Sequence, residues 1–203
     1  MENFDYLPKL HNCQLIIARE IKRICDENNI KYFIIAGTLL GAVRHGGFIP
    51  WDDDMDIGML REDYEKFLEI AKKDLGDDFF LQTPETDKNY GLNFAKVLLK
   101  GTVLMEESTA SNNAKKGIFV DIFPFDVAPL SEADRESHNK KTYFYRRLLL
   151  AKRNYNIAGK KEYVKRIVYF ILKIMSVFFS HDGLVKKLDS EITRYNNQKT
   201  DDI

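Results

Sequence analysis

Trp51-Asp52-Asp53-Asp54-Met55-Asp56-Ile57-Gly58 sets four carboxylates within five residues, just after a loop built on Gly46, Gly47 and Pro50. Residues 54–60 read as a strand in which acids take alternate places. Successive strand side chains point to opposite faces, so Asp54 and Asp56 share one face while Met55 and Ile57 anchor the other. Asp52 joins the pair if the strand starts early, and Asp53 falls on the wrong side. Like charges held this close repel and are costly to bury. A divalent cation removes the conflict, and an all-oxygen donor set suits Mg²⁺ or Mn²⁺. Alone, the run would read equally well as a solvated acidic turn, so its neighbours in the sequence decide.

Upstream, residues 7–27 read as an amphipathic helix with Leu10, Ile17, Ile21 and Ile24 on one face. Residues 31–36 are aromatic and β-branched, as a buried strand is, and a helix over 38–44 follows, with Thr38 placed to cap it. The corner Ala36-Gly37-Thr38-Leu39-Leu40-Gly41 thus turns from strand to helix. Backbone N–H groups at such a corner can hold a phosphate, and Gly37 lets the backbone approach. Downstream, the pattern predicts a helix over 62–73 and strands over 79–82, 93–99, 103–106 and 117–123, the last ended by Pro124. Asp121 is a lone acid in that last apolar strand, and a buried carboxylate needs a cation or hydrogen-bond donors. It completes a carboxylate cluster if its strand neighbours the acidic one; otherwise it pairs with a lysine. Helices are expected near 131–153, 160–180 and 183–197.

The chain of 203 residues therefore reads as α+β: a mixed sheet flanked by helices over 1–130, followed by a helical region over 131–203. Lysine plus arginine balances aspartate plus glutamate at 31 each, which does not favour a nucleic-acid partner. Two cysteines, Cys13 and Cys25, lack metal-site or disulfide spacing, and the acidic N-terminus lacks the order of a signal peptide. A cytoplasmic location follows, extending to peripheral contact with the inner face of the plasma membrane. The stretch 163–180 is strongly apolar but interrupted by Lys165, Arg166 and Lys173, too short a run to span a bilayer. Burial in a helical layer is the expected state. The alternative is a helix lying on a membrane surface with its cations at the headgroups.

In combination, Ala36-Gly37-Thr38-Leu39-Leu40-Gly41-Ala42-Val43-Arg44, the segment 47–58 and Val120-Asp121-Ile122-Phe123-Pro124-Phe125-Asp126 resemble the LicD family of the nucleotidyltransferase superfamily, which is related to the fukutin-type proteins. The resemblance implies a strand pair of acids, Asp54 and Asp56, a third acid, Asp121, on a neighbouring strand, and assistance from Asp52. It implies a Mg²⁺- or Mn²⁺-dependent transfer of phosphocholine from CDP-choline, or of a related group from a CDP-activated donor. The acceptor would be a hydroxyl of a cell-surface glycan, lipopolysaccharide or polyol-phosphate chain such as a teichoic-acid precursor. Gly37 and Thr38 would cradle the donor phosphate. Arg44 and Lys96 are candidate phosphate contacts, Lys96 because it breaks an apolar strand; for both, surface charge is the alternative. Trp51, Phe48 and Phe125 could line a choline pocket through cation–π contact, with core packing the preferred alternative. The family's C-terminal Tyr-Gly-Asp-like motif does not occur after Ser180, so the helical region reads as shortened. Two rival readings remain: transfer of another nucleotide or polyol phosphate on the same fold, and an inactive relative serving as a binding module. The acids lack the glycine and glutamate of an EF-hand loop.

Overall fold

Ile17, Ile21 and Ile24 lie on one stripe of the first helix and are fully buried, each contributing about 1.5–3 kcal/mol relative to exposure. A computed structural model describes residues 6–155 and 163–198. The elements in order are α1 (Leu7–Glu27), β1 (Phe33–Ile34), α2 (Ala36–His45), β2 (Asp56–Leu60), α3 (Arg61–Asp74), β3 (Phe79–Gln82), β4 (Ala95–Leu99), β5 (Ile118–Phe125), α4 (Glu132–Lys152), α5 (Tyr163–Val177) and α6 (His181–Ile192). A 3₁₀ turn over Thr193–Tyr195 follows. The fold is α+β, as the sequence pattern predicts, and it divides into two units.

The first unit comprises residues 1–82, 94–104 and 116–125, described from residue 6 onward. Its five strands form one mixed sheet in the order β1-β2-β5-β4-β3. The β2–β5 pair is parallel and the other three pairs are antiparallel. Ile57, Met59, Val97, Val120 and Ile122 project from one face into a core shared with α1 and α3, through Ile17, Ile21, Ile24, Tyr64 and Phe67. Period-2 and period-3.6 patterns meet here and bury each other, which is why both elements are stable where they lie.

The second unit comprises residues 83–93, 105–115 and the chain from Asp126 on. Helices α4, α5 and α6 pack through Leu148, Leu149, Leu172, Leu184 and Leu188. Ser131 caps α4 by accepting from the Asp134 N–H at 3.1 Å, as the Ser-x-x-Asp start predicts. Ser180 caps α6 in the same way, from the Gly183 N–H at 3.0 Å.

Several expectations need correction. The strand expected over 103–106 is absent. Gly101 turns the chain with φ 75°, and the Thr102 hydroxyl donates to the Leu99 carbonyl at 2.6 Å while accepting the Ile118 N–H at 2.9 Å. That side chain takes the bonds a continuing ladder would have used. Pro124 does not end β5, which continues to Phe125. β4 pairs with β5 only as far as Ile122, so the missing N–H at Pro124 leaves no ladder bond unmade on that side. The stretch 163–180 is not a buried core helix: Leu172 and Ser176 face inward, but Phe170, Ile171, Ile174, Val177 and Phe178 are exposed. The expected helix start at 160–162 and the last residues, 199–203, lie outside the described residues.

Gly41 tests how tightly α2 meets the loop that follows it. A side chain there would sit 2.6 Å from the Gly47 carbonyl oxygen and 2.8 Å from the Ile49 nitrogen, both backbone atoms. Alanine would gain about 1 kcal/mol of helix propensity, but overpacking against backbone costs about 1–3 kcal/mol. Gly41→Ala is therefore expected to lower the urea midpoint; an unchanged or raised midpoint would show the loop free to move away.

Candidate functional site: a carboxylate cluster at the start of a parallel strand pair

β2 begins at Asp56, two residues later than the alternation of acids predicts, and residues 52–55 have no regular structure. Strict strand parity therefore does not extend back to Asp52. The loop instead brings one carboxylate oxygen from each of Asp52, Asp53 and Asp54 within 4.8 Å of one another. Asp53, which alternation sets on the opposite face, stands beside its neighbours, although it is the most exposed of the three. Burial, reinforced by the charges of Asp56, Asp52 and Asp53, pushes the Asp54 carboxyl up to about 6. Burial also raises Asp56; Asp52 adds to this and Lys96 opposes it.

Register carries the acids across the sheet. Asp56 pairs with Asp121 in the parallel ladder, Asp121 with Lys96, and Lys96 with Gln82. Paired residues point to the same face, so these four form a polar row on the face opposite the apolar core. Register thereby brings Asp121 beside Asp56, while the carboxylate oxygens that gather within 4.8 Å of one another are those of Asp52, Asp53 and Asp54. Asp121 is also paired with a lysine, the alternative role: Lys96 Nζ lies 3.1 Å from Asp121 Oδ1, with both side chains buried. The same ammonium stands 3.2 Å from the centre of the Phe119 ring. Lys96 is thus an interior cation facing a carboxylate rather than a surface charge.

Two features of the strand-to-helix corner act on the acids directly. The Thr38 hydroxyl, expected to cap α2, instead accepts the Asp56 N–H at 2.8 Å; Ile35 occupies the cap position. Gly37 lets the Asp52 carboxylate approach the backbone: a Cβ there would lie 2.5 Å from Asp52 Oδ2 and push that side chain aside. The first turn of α2 therefore meets a carboxylate, an arrangement the helix dipole favours.

The sequence reading missed two residues of α1 that hold the loop from behind. His11 Nε2 bonds the Asp52 carbonyl at 2.7 Å, and Gln14 Nε2 donates to the Asp53 carbonyl at 2.8 Å. Since a carbonyl only accepts, the His11 nitrogen carries the proton. The His11 ring also stacks on Phe48, with centroids 4.0 Å apart and planes 2° from parallel. A signal was present for Gln14: it falls on the Leu10–Ile17–Ile21–Ile24 stripe, where a fully buried polar side chain needs a partner.

The remaining candidates lie nearer solvent. Trp51 is 66% exposed and Phe125 43%, so neither fills the core, the alternative preferred for them on sequence. Phe125 meets Phe33 edge-on at 5.1 Å, and Trp51 meets His45 at 6.2 Å. Arg44 is exposed in the last turn of α2.

A dense carboxylate set on a preformed loop, backed by a row of charges on the sheet, is chemically suited to a hard divalent cation. The raised Asp54 carboxyl makes the acid loop a cost to the metal-free fold. A carboxyl raised in the folded state favours folding below its unfolded value of 3.8, and that contribution is lost as pH rises through about 6. Asp54→Asn removes this titration. The variant should gain stability relative to the parent as pH is raised through that window in the presence of chelator, read from urea denaturation at each pH. A constant difference between the two proteins would contradict it.

Comparison with known proteins agrees with this geometry. The family described as LicD/FKTN/FKRP, nucleotidyltransferase domain, matches residues 29–164. The lipopolysaccharide cholinephosphotransferase LicD of Haemophilus influenzae is 35% identical over 107 residues, which are 52% of this chain and 39% of that protein. An uncharacterised protein of Rickettsia typhi is 52% identical over 54 residues, covering 27% of this chain and 18% of its own length. The human ribitol 5-phosphate transferase FKRP is 44% identical over 46 residues, 23% of this chain and 9% of its own length. The matched segments thus span well under half the length of these relatives. With two thirds of its length inside the family match, and with the corner, the acidic loop and the third acid assembled on one sheet, the chain belongs to the LicD/FKTN/FKRP nucleotidyltransferase-domain family.

Proposed function

We propose that this chain carries the catalytic core of a metal-dependent transferase. It would move phosphocholine, or a similar phospho-substituent, from a CDP-activated donor to a hydroxyl of a cell-surface glycan or polyol-phosphate precursor. The observation that supports this most directly is the register of Asp56 with Asp121 immediately downstream of the Asp52–Asp53–Asp54 loop. The likeness to the Haemophilus cholinephosphotransferase favours choline as the substituent. The likeness to FKRP favours ribitol phosphate as the second reading.

Asp54 and Asp56, with Asp52 at the loop's start, would hold Mg²⁺ or Mn²⁺. When bound, the ion would neutralise the diphosphate of the donor and the charge that develops on the leaving group. The rest follows from the chain's own residues. The N-terminal turn of α2 at Gly37-Thr38, where the Asp52 carboxylate lies, would offer its backbone N–H groups and positive dipole end to a donor phosphate once Asp52 turns to the ion. Thr38 fixes Asp56, while His11 and Gln14 fix the loop carbonyls, so the carboxylates are positioned before substrate arrives. An acceptor hydroxyl oxygen forms the new bond to phosphorus, the bond from phosphorus to the CMP oxygen breaks, and CMP leaves with the bonding pair. The proton of the attacking hydroxyl passes to a carboxylate of the cluster, with Asp121 a candidate acceptor. Positioning and charge neutralisation, rather than covalent chemistry, would provide the acceleration. The exposed Trp51 and Phe125 are available to a quaternary ammonium through their ring faces, and the exposed Arg44 to an anionic acceptor or donor group.

CMP release from CDP-choline, with Mg²⁺ and acceptor present, tests the assignment. Asp54→Ala is expected to cut turnover by about a hundredfold or more, the scale of losing one electrostatic stabiliser of a transition state. Undiminished turnover in that variant would sink the metal assignment. Running CDP-ribitol beside CDP-choline separates the two readings of the substituent.

A further inference from the structure

The second unit carries an apolar surface that the transferase chemistry does not use. Along α5, Leu172 and Ser176 point inward, one helical turn apart. The opposite half of the helix presents Ile167, Phe170, Ile171 and Ile174, continued by Val177 at its end and by Phe178 just beyond. Phe170 is 63% exposed and Phe178 84%, fractions that a core aromatic does not show. At 100° per residue the five on the helix fall within an arc of about a third of the circumference, centred opposite Leu172 and Ser176. Arg166 and Lys173, two turns apart, line one border of that apolar strip.

Charge says what the strip would meet. The whole chain has zero formal net charge, yet residues 140–180 carry eleven lysines and arginines and one acid, Glu162. Residues 163–181 contain no acid at all. A second copy docking on this face would set the same cations against each other with no carboxylate on α5 to pair them. An anionic bilayer offers both halves of the match: acyl chains for the strip, and phosphates for the cations at its border. No single described helix is long and apolar enough to cross a membrane. By length and composition, α5 would do so only together with the segment 181–195, bent from it by 108°. That segment's Leu184 and Leu188 are committed to the helical core, so α5 would lie along the surface.

We infer that the outward half of α5, from Ile167 to Phe178, is a docking surface for an anionic phospholipid bilayer, with Arg166 and Lys173 at the headgroups. Attachment of this kind combines apolar insertion with counter-charge, so it needs anionic lipid and weakens with salt. It stands on burial and charge in the second unit and does not depend on which substituent is transferred.

Cosedimentation of the chain with phospholipid vesicles tests it. The chain should pellet with phosphatidylcholine vesicles containing about a third phosphatidylglycerol, scarcely with phosphatidylcholine alone, and less as salt is raised. Phe170→Glu should lower the bound fraction about tenfold, and the double change R166E/K173E by a similar factor, with far-UV circular dichroism unchanged. Failure of the parent chain to bind anionic vesicles at low salt, or binding by either variant as strong as the parent's, would overturn the proposal. So would sedimentation equilibrium showing a dimer that Phe170→Glu dissolves while vesicle binding is absent; the strip would then be a contact between copies.

Discussion

Parallel pairing of β2 with β5 puts Asp56 opposite Asp121 and commits two carboxylates to one face of the sheet. Directly opposed like charges destabilise a ladder, so this register must be held by something stronger. It is held from the other face, where Ile57, Met59, Val120 and Ile122 of the same two strands are fully buried against α1 and α3. A slip of one residue by either strand would turn its pair of buried side chains out of the core. The hydrophobic face therefore enforces an electrostatic conflict on the polar face, an arrangement chemically suited to a divalent cation.

The conflict is moderated within the protein. Lys96, the next residue across the sheet, faces Asp121 and lowers the cost of ionising Asp56. Burying this ion pair is weak evidence of stabilisation, since desolvation offsets much of the attraction. Its value lies in keeping a charged row ordered between the acids and the sheet interior. Burial, with the charges of Asp56, Asp52 and Asp53, pushes the Asp54 carboxyl up to about 6. Neutral contacts hold the loop from behind: Gln14 and His11 on its carbonyls and Thr38 on the Asp56 N–H.

Much of this was legible in the residues, because periodicity reports burial. The bounds of α1 and of β3 follow from the apolar pattern, and the α+β class follows from the order of patterns. Legibility stopped where a side chain replaced a regular backbone bond. Thr38 looks like a helix cap but bonds a strand 18 residues away, and Thr102 ends a ladder that Val103 would otherwise extend. Parity misplaced Asp53 because the acids precede the strand and alternation holds only within one. Gln14 was overlooked although it interrupts an apolar stripe. The partner that satisfies it lies 39 residues away, and no local rule reveals it. The apolar content of 163–180 was evident, but its outward orientation depends on how α4 and α6 pack with α5.

The central claim is that these carboxylates form one divalent-cation site at the start of β2. Anomalous diffraction from crystals soaked in Mn²⁺ tests it without reference to substrate or turnover. The account predicts a peak about 2.1 Å from carboxylate oxygens of both Asp54 and Asp56, on the side where Asp121 faces Asp56 in the ladder. A peak confined to Asp52 and Asp53, or no peak at saturating Mn²⁺, would contradict it and leave the acids as a solvated loop.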